Sequence, residues 1–150
     1  MPKIKLSEKS DYCFRYQTIL KIRDINYANH LSNDAVVSLL NEARIDMFKK
    51  IGCTESALGE PGTGIVIADL VVNYKNQGYL GDEISIYSDI GEIQQKSFRI
   101  FYKMEKGDDL MVLAETGIVV YDYQNEQIAT VPKVFLKALE QWTGDNQSHS

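Results

Sequence analysis

Histidine, cysteine and long apolar stretches are scarce in this chain of 150 residues. The two histidines are His30 and His149, so a zinc site made of clustered histidine and cysteine ligands is not expected. Cys13 and Cys53 lie far apart in apolar segments, which predicts two reduced thiols, buried or half-buried. The sequence therefore predicts no metal and no other cofactor.

Positive charge is also limited, since 16 lysines and arginines stand against 21 acidic residues, with no long basic run. Nucleic-acid binding depends on clustered basic side chains that contact phosphates, so DNA and RNA are not expected as partners. Residues 1–11 are polar and lack the apolar core of a signal peptide, and no apolar run approaches the ~20 residues of a membrane helix. We therefore predict a cytoplasmic protein that does not enter the membrane.

The composition is that of one ordinary globular domain, with 44% hydrophobic and 25% charged residues. Residues 13–22 alternate between apolar and polar side chains, which predicts a half-buried strand. From residue 33 to about residue 50, apolar residues recur at three- and four-residue spacing, which predicts one long core helix. Ser32 or Asn33 can cap its start, and Gly52 ends it.

After this helix the pattern becomes that of a meander of strands. Four segments alternate or run apolar, at residues 65–74, 83–90, 96–104 and 111–123. The short glycine-containing connections between them favour antiparallel neighbours. A short helix is predicted at residues 133–142, while residues 1–11 and 143–150 are predicted to be flexible. This order of elements predicts a single α+β domain over residues 1–150.

The loop before the long helix carries the groups most suited to chemistry. Asp24 and His30 supply a carboxylate and an imidazole, either of which can activate water or attack a carbonyl carbon. A helix N-terminus presents unpaired backbone N–H groups, here those of Asn33 and Asp34, which can stabilise negative charge on a carbonyl oxygen. Each side chain also has a structural alternative: Asp24 as a turn residue and His30 as a packed histidine.

The loop resembles the active-site loop of the hotdog-fold acyl-CoA thioesterase superfamily, in its 4-hydroxybenzoyl-CoA and acyl-carrier-protein thioesterase branches. The pattern of that loop is Asp-x-Asp-x-x-Gly-His-Val-Asn-Asn, followed by a helix that contains Glu-Ala-Arg. The matching residues here are Asp24, His30, Leu31, Asn33 and Glu42-Ala43-Arg44, whereas Asn26, Asn29 and Ser32 depart from the pattern.

The resemblance implies a hotdog fold, in which an antiparallel sheet of five to six strands wraps around one long central helix. It also implies an enzyme that hydrolyses the thioester of a fatty or aromatic acyl group carried by coenzyme A or acyl carrier protein. Relatives build their sites between two subunits, so a homodimer or a dimer of dimers is expected.

The resemblance also assigns roles within the loop. Asp24 is expected as base or nucleophile, with His30 and Asn26 orienting the carbonyl and the water. The backbone N–H groups of Asn33 and Asp34 are expected to form the oxyanion site. Lys96 lies in a Lys-Ser-Phe stretch that, in one branch of the family, is near the coenzyme A nucleotide.

Two departures leave other functions open. Relatives carry an acid at the position of Asn26, and some carry a second helper acid near the position of Gln77. An amide has no useful basicity at neutral pH, so the chain could instead be a module that binds acyl thioesters without hydrolysing them. A dehydratase of hydroxyacyl thioesters is a third hypothesis, disfavoured because the Glu-Ala-Arg helix resembles the thioesterase branch.

Overall fold

The computed structural model describes residues 2–146, so His149 and the rest of the tail lie outside the described residues. In chain order the elements are β1 (Phe14–Ile19), α1 (Asn33–Lys50), β2 (Thr63–Tyr74), β3 (Glu83–Gly91), β4 (Ser97–Lys106), β5 (Asp109–Asp122), β6 (Gln127–Ile128) and α2 (Lys133–Asp145). The predicted α+β class is confirmed. Helix α2 continues past its predicted end at residue 142.

The strands form one antiparallel sheet in the order β1-β3-β4-β5-β2, and β6 pairs with the end of β5. Its inner face packs around α1, where Leu40, Met47 and Phe48 are at most 1% exposed. Ile86 and Met104 are fully buried members of the same core, contributed by the sheet. A sheet wrapped around one long helix is the hotdog arrangement that the resemblance implied, and this expectation is confirmed.

Strand β1 ends earlier than the alternation of its residues predicts. The pattern extends to residue 22, but the strand ends at Ile19 and a 3-10 turn follows at Ile22–Asp24. The Asp24 carboxylate accepts the backbone N–H of Lys21 at 2.8 Å and so closes this turn. A local bond of this kind competes with continued strand pairing, which explains the difference.

The boundaries of α1 follow the capping residues seen in the sequence. The Ser32 hydroxyl accepts the backbone N–H of Ala35 at 3.3 Å, and Asp34 lies in the first turn, where the helix dipole favours negative charge. After Lys50 the chain leaves the helix through Gly52, whose φ of +79° is readily adopted by glycine. The predicted helix from residue 33 to 50 is therefore confirmed at both ends.

Arg44 carries a buried charge on α1, with 4% of its surface exposed. Its Nε donates to Glu55 at 3.1 Å, Nη1 to the Tyr102 hydroxyl at 3.2 Å and Nη2 to Asn41 at 2.7 Å. The Tyr102 hydroxyl also lies 3.1 Å from that of Thr116. Acceptors on three sides compensate the buried guanidinium, which therefore has a structural role.

The N-terminal strap, residues 4–12, lies across the outer face of the sheet, which is turned away from α1. The Leu6 N–H donates to the Asn73 side-chain oxygen at 2.7 Å, and Asn73 Nδ2 donates to the Ile4 carbonyl at 2.9 Å. Farther along, Glu8 pairs with Lys103 at 3.1 Å. The sequence predicts flexibility up to residue 11, whereas these contacts attach the segment to β2 and β4.

Strand β2 is one edge of the sheet and pairs only with β5 among the described residues. A bulge at Ala68 shifts its register. Beside the bulge the side chains of Val66, Ile67 and Leu70 are each 41% exposed, which is unusual for apolar residues on a long strand. This edge is therefore open to pairing with another strand.

Cys13 is half-buried and Cys53 is buried, and both are free thiols as predicted. Within residues 2–146, no helix is long and apolar enough to cross a bilayer. The same part of the chain contains no group of three or more histidine, cysteine or acidic side chains placed to hold a metal ion.

Candidate active site

The loop between β1 and α1 is organised by the side chain of Asn26. Its Oδ1 accepts the backbone N–H of Ala28 at 2.9 Å and that of His30 at 3.3 Å. The Asn26 N–H donates in turn to the His30 carbonyl at 2.8 Å. Asn29 adopts a φ of +66°, a conformation that asparagine tolerates better than most residues, as its place in the motif predicts. These bonds fix the backbone at His30.

The loop is also attached to the turn that follows β2. The Leu31 N–H donates to the Gly78 carbonyl at 2.7 Å. Glycine at position 78 eases this close approach, because a Cβ there would lie 2.7 Å from Met111 Cε and 3.2 Å from Leu31 Cβ. A contact across nearly fifty residues of sequence thus positions the histidine.

A cleft of about 280 Å³ opens between this loop, the start of α1 and the end of β2. His30 is half-buried in its wall, and its ring meets the Tyr79 ring edge-on with 5.4 Å between centroids. The lining groups are amide, aromatic, apolar and imidazole, and no carboxylate of residues 2–146 is among them. The lining residues are Asn26, His30, Leu31, Asn33, Val36, Tyr74, Asn76, Gln77, Gly78 and Val112.

Asp24 lies apart from the cleft wall. The residue is 8% exposed, and its carboxylate is bonded to Lys21 N–H as described above. Its carbonyl accepts the Ser32 N–H at 2.9 Å, which ties the 3-10 turn to the residue that caps α1. The structure therefore brings Asn26, His30 and Asn33 together around the cleft and places Asp24 beneath the loop.

The N-terminus of α1 reaches the cleft through Asn33. The Tyr74 hydroxyl donates to the Asn33 carbonyl at 3.2 Å. Asp34 is exposed, and hydrogen bonds from the Ser32 hydroxyl and from its own backbone N–H hold the pKa of its carboxyl below the usual value. Of the two residues, Asn33 lines the cleft and Asp34 does not.

Lys96 is remote from the cleft within one chain. Its carbonyl accepts the Val120 N–H at 3.0 Å near the end of β5, whereas the cleft is lined by Val112 of the same strand. Strand residues are spaced by ~3.4 Å, so these two positions on β5 are about 27 Å apart. The exposed Lys96 side chain could meet a cleft only on a second copy.

Sequence reasoning placed Gln77 near the site and missed five other lining residues: Val36, Tyr74, Asn76, Gly78 and Val112. The Gln77-Gly78 pair directly after a predicted strand was the available signal for a turn at the site. Val112 carried no signal, because an apolar strand residue looks the same wherever it lies in a sheet.

Comparisons with known proteins agree with the fold. A model of the Thioesterase-like superfamily matches residues 20–139. A search of curated proteins found no significant match. Among solved structures, Slr0204, a 1,4-dihydroxy-2-naphthoyl-CoA thioesterase from Synechocystis, is similar with a TM-score of 0.76 and 15% identity, over 84% of this chain and 94% of that one.

Two further structures are similar over most of their length. YbaW, a probable thioesterase from Escherichia coli, has a TM-score of 0.73 and 18% identity, over 86% of this chain and 98% of that one. The DHNA-CoA thioesterase from Staphylococcus aureus has a TM-score of 0.76 and 13% identity, over 91% and 95%. At these identities the likeness concerns the fold, whereas the family model covers most of the chain, motif loop included. This chain belongs to the Thioesterase-like superfamily.

Proposed function

We propose that this protein is an acyl thioesterase that hydrolyses acyl-CoA or acyl-carrier-protein thioesters, with His30 as its base. The observation that carries the proposal is the position of His30, fixed by Asn26 and Gly78 in the wall of a cleft that ends at the N-terminus of α1. An imidazole next to exposed helix N–H groups is an arrangement suited to attack on a carbonyl.

In the proposed reaction, the imidazole of His30 takes a proton from water while the water oxygen attacks the thioester carbonyl carbon. The carbonyl oxygen becomes negative and is stabilised by the Asn33 N–H and the helix dipole. Collapse of this intermediate breaks the carbon–sulfur bond, and the leaving thiolate takes the proton from the imidazolium. No external oxidant, metal or cofactor is needed for this balance.

A second copy of the chain would complete the site. We propose that two β2 strands pair antiparallel about the bulge at Ala68, which covers the exposed apolar side chains of this edge. Such pairing would bring the Tyr74 end of one strand beside the Ile65 end of the other. The cleft of one protomer would then adjoin the region around Ile65 of its partner.

That region contains an apolar cavity suited to an acyl group. Its volume is about 580 Å³, and most of its exposed wall is apolar, from Ile45, Cys53, Ile65 and Tyr123. The remaining wall is polar or charged, from Lys49, Thr54, Glu55 and Ser56. The Tyr123 hydroxyl donates to the Ile65 carbonyl at 2.6 Å and so holds the ring over the edge of the sheet. Apolar walls favour a fatty or aromatic acyl group over a polar one.

The test is a panel of acyl-CoA thioesters of different chain length, together with aromatic acyl-CoA, in which release of thiol is followed spectroscopically. We expect the wild type to hydrolyse at least one thioester, and we expect this turnover to fall by about a hundredfold in His30→Gln. If His30→Gln leaves turnover unchanged, His30 has no part in the mechanism. Lys133→Ala, on the distant α2, is the control for differences between protein preparations.

A non-catalytic module that binds acyl thioesters is the second candidate, because no carboxylate lines the cleft. It predicts that acyl-CoA binds in calorimetry without release of thiol over hours. The enzyme proposal predicts that acyl-CoA binds and that thiol is released.

A further inference from the structure

The imidazole of His30 is restrained by a contact between rings and not by a hydrogen bond. Its backbone N–H is bonded to Asn26, but neither ring nitrogen has a hydrogen-bond partner within residues 2–146. A histidine that acts as a base is commonly oriented by a third group that bonds its other nitrogen. Here the His30 ring meets Tyr79 instead, with 5.4 Å between ring centroids and 81° between the ring planes. The orientation of the imidazole therefore depends on this tyrosine.

Tyr79 is itself held at its backbone, its hydroxyl and its ring. Its N–H donates to the Asp82 carboxylate at 2.8 Å, and its carbonyl accepts the Asp82 N–H at 3.0 Å. Its hydroxyl donates to the Gln77 side-chain oxygen at 3.3 Å. The Lys106 ammonium lies over the ring, 5.4 Å from the centroid, a distance at which a cation is attracted to an aromatic face. The ring that contacts His30 is thus fixed by several groups at once.

Asp82 connects Tyr79 to two strands of the sheet. The carboxylate oxygen that accepts the Tyr79 N–H also pairs with Lys106 of β4 at 3.1 Å. The Asp82 carbonyl accepts the N–H of Leu20, the residue that follows β1, at 2.9 Å. The place of the Tyr79 ring is therefore set by the sheet, independently of the loop that contains His30.

The exposure of Tyr79 argues against a role in packing alone. The residue is 45% exposed, so its ring contributes little to the buried core. Stabilisation by an apolar group scales with the area that it removes from water. Stability therefore gives little reason to fix this ring so closely, whereas the orientation of His30 gives one.

We propose that Tyr79 is a positioning residue that holds the His30 imidazole in the direction of the thioester. The inference rests on the proposed function, since it takes His30 to be the base. The Tyr79 ring limits rotation of the imidazole, so that the nitrogen that faces the cleft stays aligned with the attacking water. Misplacement of a catalytic group by about 1 Å can cost on the order of a hundredfold in rate.

The kinetic experiment compares Tyr79→Leu and Tyr79→Phe with the wild type on the best acyl-CoA substrate. Tyr79→Leu removes the ring and is expected to lower kcat about tenfold with KM unchanged, because the imidazole is freed without loss of a substrate contact. Tyr79→Phe keeps the ring and should have the kcat of the wild type. Tyr27→Leu is the matched control, at a fully exposed tyrosine of the His30 loop, and should change neither constant.

Proton NMR measures the contact between the rings without a substrate. The chain has two histidines, and the signals of His30 are identified by their absence from His30→Gln. In the wild type and in Tyr79→Phe, the ring current of residue 79 should displace the His30 imidazole signals from those of a free histidine. In Tyr79→Leu the signals should return toward the free values.

Three results would overturn the inference. The first is an unchanged kcat in Tyr79→Leu, and the second is a loss of kcat in Tyr79→Phe as large as that in Tyr79→Leu. The third is a set of His30 signals that is the same in Tyr79→Leu as in the wild type. If none of these proteins hydrolyses a thioester, the proposed function fails, and the NMR spectra still decide whether Tyr79 holds the imidazole.

Discussion

At the scale of single residues, the proposed mechanism gives the role of base to His30, whereas the motif assigns it to Asp24. The Asp24 carboxylate closes a turn and does not line the cleft. Asparagine retains an oxygen that can accept the Lys21 N–H, so Asp24→Asn should change kcat by less than about tenfold. A true general base contributes ~10²–10⁴-fold, so a loss of about a hundredfold in steady-state kcat would return that role to Asp24.

Asn26 is a second residue whose role can be tested directly. Asn26→Asp keeps an oxygen acceptor for the N–H groups of Ala28 and His30, and its other oxygen becomes a potential base next to the cleft. We expect unchanged thermal stability and a rise in kcat of about tenfold or more. The measurement is hydrolysis of the best substrate across pH by both proteins.

The other outcomes of this experiment are equally specific. Activity that appears only in Asn26→Asp would favour the binding module as the natural state of the chain. Activity that is present in the wild type and lost in Asn26→Asp would show that the site depends on the amide.

Among the elements, the start of β2 depends on a glycine. A Cβ at Gly64 would overlap the Glu55 carbonyl oxygen and lie 2.7 Å from Ser56 Cα, and both are backbone atoms that cannot rotate away. Gly64→Ala should lower the free energy of unfolding by ~1–3 kcal/mol, as overpacking does. Gly144→Ala is the matched control in α2: among residues 2–146 nothing lies within 4 Å of its Cβ position, so stability should stay equal or rise by up to ~1 kcal/mol. Urea unfolding followed by circular dichroism measures both.

An ion-pair network joins three strands on the outer face of the sheet. Arg99 of β4 donates to both oxygens of Asp69 on β2, at 3.0 and 2.8 Å, and to Glu115 of β5 at 3.1 Å. The hydrogen bonds from Arg99 hold the pKa of the Asp69 carboxyl below its ordinary value of 3.8. Gly117 leaves the space for this contact, because a Cβ there would overlap the Asp69 carboxylate.

The lowered pKa sets the direction of an acid effect. The stabilisation by ionised Asp69 is complete above about pH 5, and it is lost as pH falls below 3.8 through the folded-state pKa. Asp69→Asn should therefore destabilise the protein near pH 7 and make little difference near pH 2. The side chain is 50% exposed, so solvent screening keeps the effect to ~1 kcal/mol or less. Urea unfolding at both pH values is the check, with Asp108→Asn as an exposed control.

The helices and strands were easier to predict from the sequence than the side-chain contacts between them. Both ends of helix α1 were predicted closely, because capping, dipole and apolar spacing are all local signals. The end of β1 and the position of the Asp24 side chain were not predicted. An aspartate carboxylate can close a turn or face a substrate, and only the path of the backbone decides between these two arrangements. The N-terminal strap was hidden for a similar reason, since its polar sequence is ordered by a distant partner, Asn73.

For the whole molecule, the edge strand β2 determines the expected assembly. We expect a dimer or a dimer of dimers at micromolar concentration, measured by light scattering after size exclusion. Leu70→Lys places a charge in the middle of the apolar edge and should shift the protein to the mass of one chain. Ile19→Lys, on the opposite edge strand β1, changes a residue that is 50% exposed and should leave the mass unchanged.

Two outcomes would contradict this assembly. A wild-type protein with the mass of one chain would remove the second copy from the site, and the cleft would have to act alone. A shift caused by Ile19→Lys and not by Leu70→Lys would move the interface to β1.

The site is harder to read from sequence than the fold, because it depends on distances between elements. The cleft joins residues from the motif loop, the start of α1, β2, the following turn and β5. The sequence signals for it were those of the loop, of Asn33 and of Gln77. The apolar cavity near Ile65 has no motif at all, since isoleucine and tyrosine are common on strands.

The path of the N-terminal strap has a practical consequence for the design of the protein used in these measurements. Ile4 is bonded to Asn73, one residue before Tyr74 in the cleft wall and on the strand proposed to pair with a second copy. An affinity tag fused upstream of Ile4 would leave the protein beside that strand, where it could block both association and substrate entry. The last turns of α2 lie beside β1, at the edge of the sheet opposite β2, since the Trp142 indole N–H donates to the Cys13 carbonyl at 3.3 Å. Carboxy-terminal fusions are therefore preferable for assays of turnover and mass.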